Sequence, residues 1–211
     1  MSFNATLERA DITYLLRSER HFRDSKRWDD MRACYHPDDN QTLVNISWHK
    51  GGIDGFIAGS RKLSSDAVAI MHDITPVTIQ FASTRRQALS ESTGRIFARY
   101  TYEGVDMVMT NFVRLFTQLE KINIGGEDTW RMLSLECLYM FETLTPCLPP
   151  APDKPLVLDF SGLENARRSY KAVVWHIGTL GGSVRDDLPG IDQPETVKEI
   201  EDRNQAWIGR E

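Results

Sequence analysis

The sequence predicts an α+β domain in which amphipathic helices come first and a long antiparallel sheet follows. Near the N-terminus apolar residues recur at helical spacing, whereas from Val77 onward they alternate with polar residues, as in a half-buried strand. The strand-like segments then follow one another directly, without the intervening helices of a parallel sheet. Helices followed by consecutive strands are typical of the α+β class.

Three helices are predicted before the sheet. The first covers residues 5–22, where five apolar residues form a stripe at helical spacing: Leu7, Ala10, Ile12, Leu15 and Leu16. The second is short and covers residues 28–35, and the third covers residues 53–63. Between them, residues 36–40 are rich in turn formers and residues 42–48 are typical of a strand.

The sheet is predicted from four segments. Val77, Ile79 and Phe81 alternate with polar residues, and three further segments are rich in Val, Phe, Tyr, Thr and Met: residues 89–102, 107–119 and 130–141. Turn signals at Glu103-Gly104 and within residues 123–128 separate these strands.

A proline-rich stretch, residues 148–155, ends the sheet and is expected to act as a stiff spacer. We therefore expect an α+β domain over residues 1–148 and a helical extension over residues 149–211. Within the extension, residues 163–179 can form a helix, and Pro194 can begin another that reaches Trp207. Its tryptophans indicate that the extension packs on the domain or on a neighbouring subunit.

The composition is that of an ordinary globular protein, with 41% hydrophobic and 26% charged residues in 211. A formal net charge of −5 gives no electrostatic reason to expect binding to nucleic acid or to an anionic membrane. No apolar run approaches the roughly 20 residues of a membrane span, and the polar N-terminus is unlike a signal peptide. Cys34, Cys137 and Cys147 share no CxxC spacing, which favours reduced thiols and a cytoplasmic protein.

Familiar cofactor-binding and catalytic signatures are absent: there is no Walker A loop, GxGxxG, HExxH or GxSxG motif. The cluster Gly51-Gly52-x-x-Gly55 lacks the context of a phosphate-binding loop and is more typical of a helix entry. His36, Asp38 and Asp39 could be drawn as metal ligands. A role as a helix cap or in a solvated turn is favoured, however, because they share one exposed turn. We expect neither a metal nor a cofactor.

Asp24 and His72 are the two candidates for catalysis. Asp24 ends the first predicted helix, and His72 opens the first long strand. On residue type alone each has an ordinary explanation, since an aspartate at a helix end often caps the next helix and a lone histidine in a strand is usually structural. The order of the motifs around Asp24 and His72 is what favours a catalytic pair.

That order resembles the SnoaL-like branch of the nuclear-transport-factor-2-like superfamily over about residues 5–145. The motifs are Ile12-x-x-Leu15, Asp24, Trp28-Asp29, Tyr35-His36-Pro37-Asp38, Gly52-x-x-x-Phe56 and His72-x-Ile74. The resemblance implies a cone-shaped, curved antiparallel sheet wrapped around the N-terminal helices, with a pocket between them. It also implies that Asp24 and His72 match the catalytic dyad of two cofactor-free lyases, scytalone dehydratase and hexachlorocyclohexane dehydrochlorinase.

In such a dyad the carboxylate fixes the tautomer of the imidazole and stabilises the imidazolium that forms when it takes a proton. A general base of this kind contributes roughly 10²–10⁴-fold to the rate. β-Elimination, isomerisation and retro-aldol cleavage need only this base and an enclosed apolar cavity.

Other positions depart from the related lyases. Arg23 stands where scytalone dehydratase has a tyrosine, no histidine stands at residues 97–98, and Val113 and Leu115 replace a polar pair. The substrates of those enzymes therefore cannot be carried over. We expect a more apolar pocket lined by Tyr14, Trp48, Met107, Met109 and Val113, with Asn111 as a polar contact. Each of these residues could instead belong to the core.

The expected function is that of a cofactor-independent lyase acting on a small hydroxylated, aromatic compound, by dehydration or by formaldehyde-releasing C–C cleavage of the lignin-derived type. The alternatives are a polyketide-cyclase-like isomerase and a non-catalytic small-ligand-binding module. Phe112 and Phe116, in phase with Arg114, are expected to face outward without cover from their own chain. This predicts a homo-oligomer, either a dimer or a trimer.

Overall fold

The computed structural model describes residues 3–63, 68–149 and 156–209, in which the chain forms five α-helices and seven strands. The helices are α1 (Phe3–Asp24), α2 (Trp28–Ala33), α3 (Ile53–Leu63), α4 (Lys171–Thr179) and α5 (Pro194–Ile208). The strands are β1 (Leu43–Ile46), β2 (His49–Gly51), β3 (Ala69–Phe81), β4 (Gln87–Tyr102), β5 (Val105–Ile124), β6 (Glu127–Met132) and β7 (Ser134–Pro146). Across these ranges, each helix is too short or too polar to cross a lipid bilayer.

The strands form one curved sheet that does not close on itself. Its order is β2-β1-β7-β5-β4-β3, and β6 pairs with the C-terminal part of β5. Among the pairings of these strands, only that of β1 with β7 is parallel. The predicted α+β class, with helices first and a curved and largely antiparallel sheet after them, is confirmed.

A two-residue turn sets the register of the long β4–β5 hairpin. Glu103 (φ 48°) and Gly104 (φ 78°) both occupy the left-handed region, as in the type I′ turns that suit the twist of a hairpin. The resulting register places Ile96 opposite Asn111, and β3 adds His72 opposite Ile96. Because cross-strand partners share a face of the sheet, these three side chains form one row.

Helix α1 packs on the sheet and along its edge strand β3. Ile12 and Leu16 of the predicted apolar stripe are buried in the core, where each contributes about 1.5–3 kcal/mol. Arg9 donates a hydrogen bond to the backbone carbonyl of Ile79 in β3. The helix thus covers part of a strand edge that would otherwise be open.

Asp39 and Gly52 determine how the chain enters α3. Asp39 Oδ1 accepts a hydrogen bond from the backbone N–H of Asp54 at 2.9 Å, which caps the helix. A Cβ on Gly52 would lie 2.2 Å from Asp39 Oδ2, so only glycine fits beside this carboxylate. Asp38 accepts from the backbone N–H of Asn40 at 3.0 Å, in a short 3-10 turn before β1. The capping role predicted for both aspartates is confirmed.

The first C-terminal helix is shorter than predicted. Helix α4 begins only at Lys171, and the segment before it, residues 163–170, forms successive turns. Arg167 Nη2 and Ser169 Oγ donate hydrogen bonds to Asp192 Oδ1 at 2.6 and 2.7 Å, and these bonds hold the segment against the loop that precedes α5. Most of the predicted proline-rich spacer, residues 150–155, lies outside the described residues.

Helix α5 covers part of the outer face of the sheet. Ile200 packs with Phe116 and Leu138, so Phe116 is only 6% exposed. The expectation that Phe116 lacks cover from its own chain is therefore wrong, because the extension folds back over it. Phe112, on the same face, stacks on Phe141 with 4.3 Å between ring centroids, and Phe141 remains 48% exposed.

Candidate active site

An apolar cavity of about 150 Å³ lies between the sheet and helices α1, α3 and α4. Its walls are mainly aliphatic and aromatic, and include Ile46, Phe56, Ile96, Ala98, Leu115 and Leu135. An apolar cavity of this size is large enough for a benzene-sized molecule. A few polar side chains interrupt the walls, as is usual for a ligand-binding site: Arg20, Arg23, His72, Asn111 and His176.

Asp24 and His72 meet at the edge of this cavity. Asp24 Oδ1 lies 2.6 Å from His72 Nδ1, and Asp24 Oδ2 accepts the backbone N–H of His72 at 2.6 Å. Because β3 is an edge strand, the N–H of His72 points away from β4 and is free to bind the carboxylate at the end of α1. The same carboxylate thus fixes both the backbone and the ring of His72.

The electrostatics of the pair favour a neutral imidazole beside a carboxylate. Burial lowers the pKa of His72 to about 4 and outweighs the hydrogen bond with Asp24, which acts to raise it. Burial acts to raise the pKa of Asp24, but the hydrogen bonds from His72 prevail, and this pKa lies below its ordinary value. A carboxylate only accepts hydrogen bonds, so Nδ1 carries the proton and Nε2 keeps a lone pair. Among the described residues Nε2 has no hydrogen-bond partner.

Two arginines of α1 line the cavity next to this pair. Arg20 forms a buried ion pair with Glu19. Burial acts to lower the pKa of Arg20, but the adjacent carboxylate raises it above its ordinary value. Arg23 is less well compensated, since its nearest carboxylate oxygen is Asp24 Oδ1 at 3.6 Å and burial lowers its pKa to about 10. Asp24 is already engaged by His72, so the Arg23 guanidinium keeps donors available to a ligand.

Three of the predicted pocket residues line the cavity: Trp48, Met109 and Asn111. Trp48 also stacks on Phe56, with 5.2 Å between ring centroids. Met107 and Val113 are instead fully packed in the hydrophobic core, the alternative that the sequence left open.

Tyr14 does not line the cavity with the other predicted pocket residues. Its side chain is 75% exposed and lies beside Arg17 and His21 on the outer surface of α1. The reason is the helical period, because Ile12 and Leu16 face the core and a residue midway between them points the other way. A substrate contact by Tyr14 is not supported by this placement.

His176 is a cavity residue that the sequence did not indicate. It belongs to α4 and is 5% exposed, and its ring packs against Tyr100 at a tilt of 37°, with 4.0 Å between ring centroids. Burial lowers the pKa of His176 to about 4, so this ring is also neutral at pH 7. No motif marks it, since it lies in the C-terminal extension beyond the region of family resemblance. Arg20 was missed as well, although it stands on α1 one helical turn before Asp24.

Glu142 holds α4 over the cavity. Its carboxylate accepts the backbone N–H groups of Ala172 and Val173 at 2.5 and 2.8 Å, in the first turn of the helix. A negative charge at a helix N-terminus is stabilising. Burial nevertheless raises the pKa of Glu142 to about 7, while the two N–H groups act to lower it. One turn further along the helix, His176 reaches the cavity wall.

The described residues contain no group of three or more His, Cys, Asp and Glu side chains arranged to hold a metal ion. His36, Asp38 and Asp39, which could be drawn as ligands from the sequence, stay in the turn before β1 with the capping roles given above.

Comparison with known proteins agrees with this architecture. Residues 4–136 match the SnoaL-like domain family. Among solved structures, the chain is similar to a candidate scytalone dehydratase from Novosphingobium aromaticivorans, with a TM-score of 0.53 and 17% identity, over 72% of this chain and 95% of that one. It is also similar to a hexachlorocyclohexane dehydrochlorinase, with a TM-score of 0.56 and 12% identity, over 70% of this chain and 95% of that one. No curated protein matches the chain.

At these identities the structural likeness establishes the fold alone. The family match covers well over half of the 211 residues, including Asp24, His72 and Asn111, whereas His176 lies beyond it. The curved, open sheet and the order of the elements agree with the fold that the motif order implied. The chain therefore belongs to the SnoaL-like domain family.

Proposed function

We propose that this protein is a cofactor-independent lyase that acts on a small hydroxylated, aromatic compound, with His72 as general base and Asp24 as its orienting partner. The observation that carries the proposal is a neutral imidazole at an apolar cavity, with Nδ1 held by a carboxylate and Nε2 without a partner among the described residues. A base in this state can accept a proton at neutral pH without first losing one.

Elimination of water is the leading reaction. His72 Nε2 takes the proton from the carbon next to a carbonyl group, and the electron pair of that C–H bond forms a C=C bond as the C–O bond breaks. The departing hydroxide takes the proton back from the imidazolium and leaves as water. Asp24 stabilises the imidazolium between these two transfers.

Arg23 would stabilise the negative charge that develops on the carbonyl oxygen during proton removal. Its guanidinium lies beside the dyad, lines the cavity and is only weakly paired with Asp24. Preorganised donors of this kind in a water-poor site are worth roughly 10²–10³-fold in rate. The position occupied by a tyrosine in scytalone dehydratase would thus hold a charged donor here.

Formaldehyde-releasing cleavage uses the same groups in another order. In that reaction Nε2 takes the proton of a primary hydroxyl group, the adjacent C–C bond breaks to give formaldehyde and an enolate, and the imidazolium protonates the enolate carbon. Because both reactions place charge on the same carbonyl oxygen, the position of Arg23 is compatible with either.

One compound tests both reactions. A β-hydroxypropiophenone with a para-hydroxyl group gives an aryl vinyl ketone on dehydration, and para-hydroxyacetophenone with formaldehyde on cleavage. We expect one of these two product sets with the purified protein, followed by NMR in D₂O. The His72→Gln variant should show neither.

A binding module or an isomerase would give different results. A non-catalytic protein would bind the compound without exchange or turnover, and an isomerase would exchange protons while releasing neither water nor formaldehyde. If wild-type protein releases neither water nor formaldehyde from this compound or from its analogue that lacks the ring hydroxyl, the lyase proposal is wrong.

A further inference from the structure

Two polar side chains of the cavity wall have buried atoms that lack partners. Asn111 is 3% exposed and His176 is 5% exposed, and both line the cavity. Asn111 Oδ1 and His176 Nδ1 find no hydrogen-bond partner among the described residues. Buried polar atoms are nearly always satisfied in native proteins, because an unpaired one keeps the full cost of its removal from water. A ligand that pairs with both atoms would remove this cost.

The chemistry of these atoms limits what the ligand can present. Asn111 Oδ1 is an acceptor, so it needs an N–H or O–H donor, while a neutral imidazole nitrogen can accept or donate according to its tautomer. An anion is disfavoured here, because it has no proton to donate to Asn111 Oδ1. An uncharged hydroxyl group suits each of these atoms, since it can donate to Asn111 Oδ1 and can either donate to or accept from His176 Nδ1 according to the tautomer.

The position of Asn111 relative to the dyad of Asp24 and His72 suggests the size of the ligand. His72 and Asn111 stand in one cross-strand row, two strands apart, which separates their Cα atoms by about 10 Å. The wall between them is apolar, with Ile96 in the same row and Ala98 in the next. A single aromatic ring with substituents at opposite positions spans such a gap.

We infer that Asn111 and His176 form a subsite for an uncharged hydroxyl group of the substrate, most simply a phenol, on the side of the ring away from the carbon that His72 deprotonates. This inference rests on the proposed function for the role of His72. It assigns to the C-terminal extension, which lies outside the family match, a direct part in substrate selection through His176.

Binding of two size-matched ring compounds tests the subsite. Para-hydroxyacetophenone carries the hydroxyl donor, and para-methylacetophenone replaces it with a methyl group of similar size. Titration calorimetry with the His72→Gln variant measures binding without turnover. We expect the hydroxyl compound to bind about tenfold more tightly, since the methyl compound leaves both wall atoms unpaired. In Asn111→Leu and in His176→Phe the ratio of the two affinities should fall towards one.

Each variant has a defined purpose. His176→Phe keeps an aromatic ring on Tyr100, and Asn111→Leu keeps the volume, so both remove the polar atom while preserving the shape of the wall. The Tyr14→Phe variant, altered on the outer surface of the same chain, should keep the wild-type ratio. The two compounds can be compared on the His72→Gln protein alone. The subsite therefore remains testable even if Asn111→Leu or His176→Phe does not fold.

Equal affinities for the two compounds, or no saturable binding of either at millimolar concentration, would overturn the inference. A ratio that stays about tenfold in both wall variants would overturn it as well. The outcome is separate from that of the proposed function. If the protein prefers the hydroxyl compound but shows no turnover, the subsite is supported and the lyase proposal is wrong. If it shows turnover without this preference, the lyase proposal is supported and the subsite is wrong.

Discussion

The Asp24 carboxylate binds His72 through both its backbone N–H and its ring Nδ1, although 48 residues separate the two in the chain. One oxygen holds the strand and the other holds the imidazole. The ring therefore cannot turn without losing a hydrogen bond that also fixes its tautomer. This arrangement supports a catalytic interpretation more strongly than a distance alone, because a purely structural histidine has no need of a free Nε2.

Removal of either member of the pair should abolish most of the activity. We expect His72→Ala to lower turnover of the β-hydroxypropiophenone by at least about 10²-fold, because it removes the proton acceptor. Asp24→Asn should also be strongly impaired, since it no longer stabilises the imidazolium and permits the wrong tautomer. The double variant should be little worse than either single one, as expected of residues that act as a unit. Near-normal turnover by His72→Ala would show that His72 is structural.

The pH dependence of turnover should follow the lowered pKa of His72. The base works only in its neutral form, so activity is lost as the pH falls through this pKa, which burial lowers to about 4. The pKa of Asp24 is lowered too, so its carboxylate stays ionised over the same range. We expect kcat/KM to be flat from about pH 8 to about pH 5.5 and to fall below that with the slope of one proton. An acid limb centred at the ordinary histidine value of about 6.5 would contradict the proposed environment.

The sequence was sufficient to predict that helices precede a set of long strands and that Asp24 meets His72. Helical and strand periodicity are local properties, and the dyad follows from a motif order that this fold family shares. The exposure of Tyr14 is also predictable from the sequence. Ile12 and Leu16 belong to the apolar stripe of the helix, and a residue midway between them points away from it. The expectation that Tyr14 lines the pocket conflicts with that stripe.

His176 and the cover of Phe116 could not be predicted in the same way. The position of α4 depends on the Glu142 carboxylate at its first turn, and that of α5 depends on apolar contacts made by Ile200. Both positions depend on contacts between residues far apart in the sequence, which no local sequence pattern indicates. The sequence therefore leaves open whether the extension packs on the domain of its own chain or on a neighbouring subunit.

Arg23 should matter for the rate of the reaction and much less for binding. If it stabilises charge that appears only in the transition state, Arg23→Gln should lower kcat by roughly 10²–10³-fold with a small change in KM. Arg23→Lys should retain part of the activity, because it keeps the positive charge and loses the planar donor geometry. Arg17→Gln, on the exposed face of the same helix, serves as the matched control and should leave kinetics unchanged. A change in KM alone would assign Arg23 to ground-state binding.

Glu142 should make stability depend on pH near neutrality. Its pKa is raised to about 7 in the folded chain, so the folded state takes up a proton before the unfolded state does. Its contribution to stability is then fully present below the unfolded value of 4.5 and is lost as the pH rises through about 7. Relative to Glu142→Gln, the wild type should gain up to about 3 kcal/mol in free energy of unfolding between about pH 8 and about pH 4.5. Urea unfolding of both proteins at the two pH values measures this difference, and a constant difference would rule out the titration.

The stacked pair Phe112 and Phe141 should form part of a contact between copies of this chain. Helix α5 covers Phe116 but leaves Phe141 48% exposed on the outer face of the sheet. Exposed aromatic residues on such a face are typical of an interface. Light scattering at micromolar concentration should therefore give the mass of a dimer or a trimer of the 24.1 kDa chain. Phe141→Lys should shift it towards the monomer, whereas Ile124→Lys, at the exposed end of β5, should not. A monomeric wild type would show that the stacked pair remains in contact with solvent.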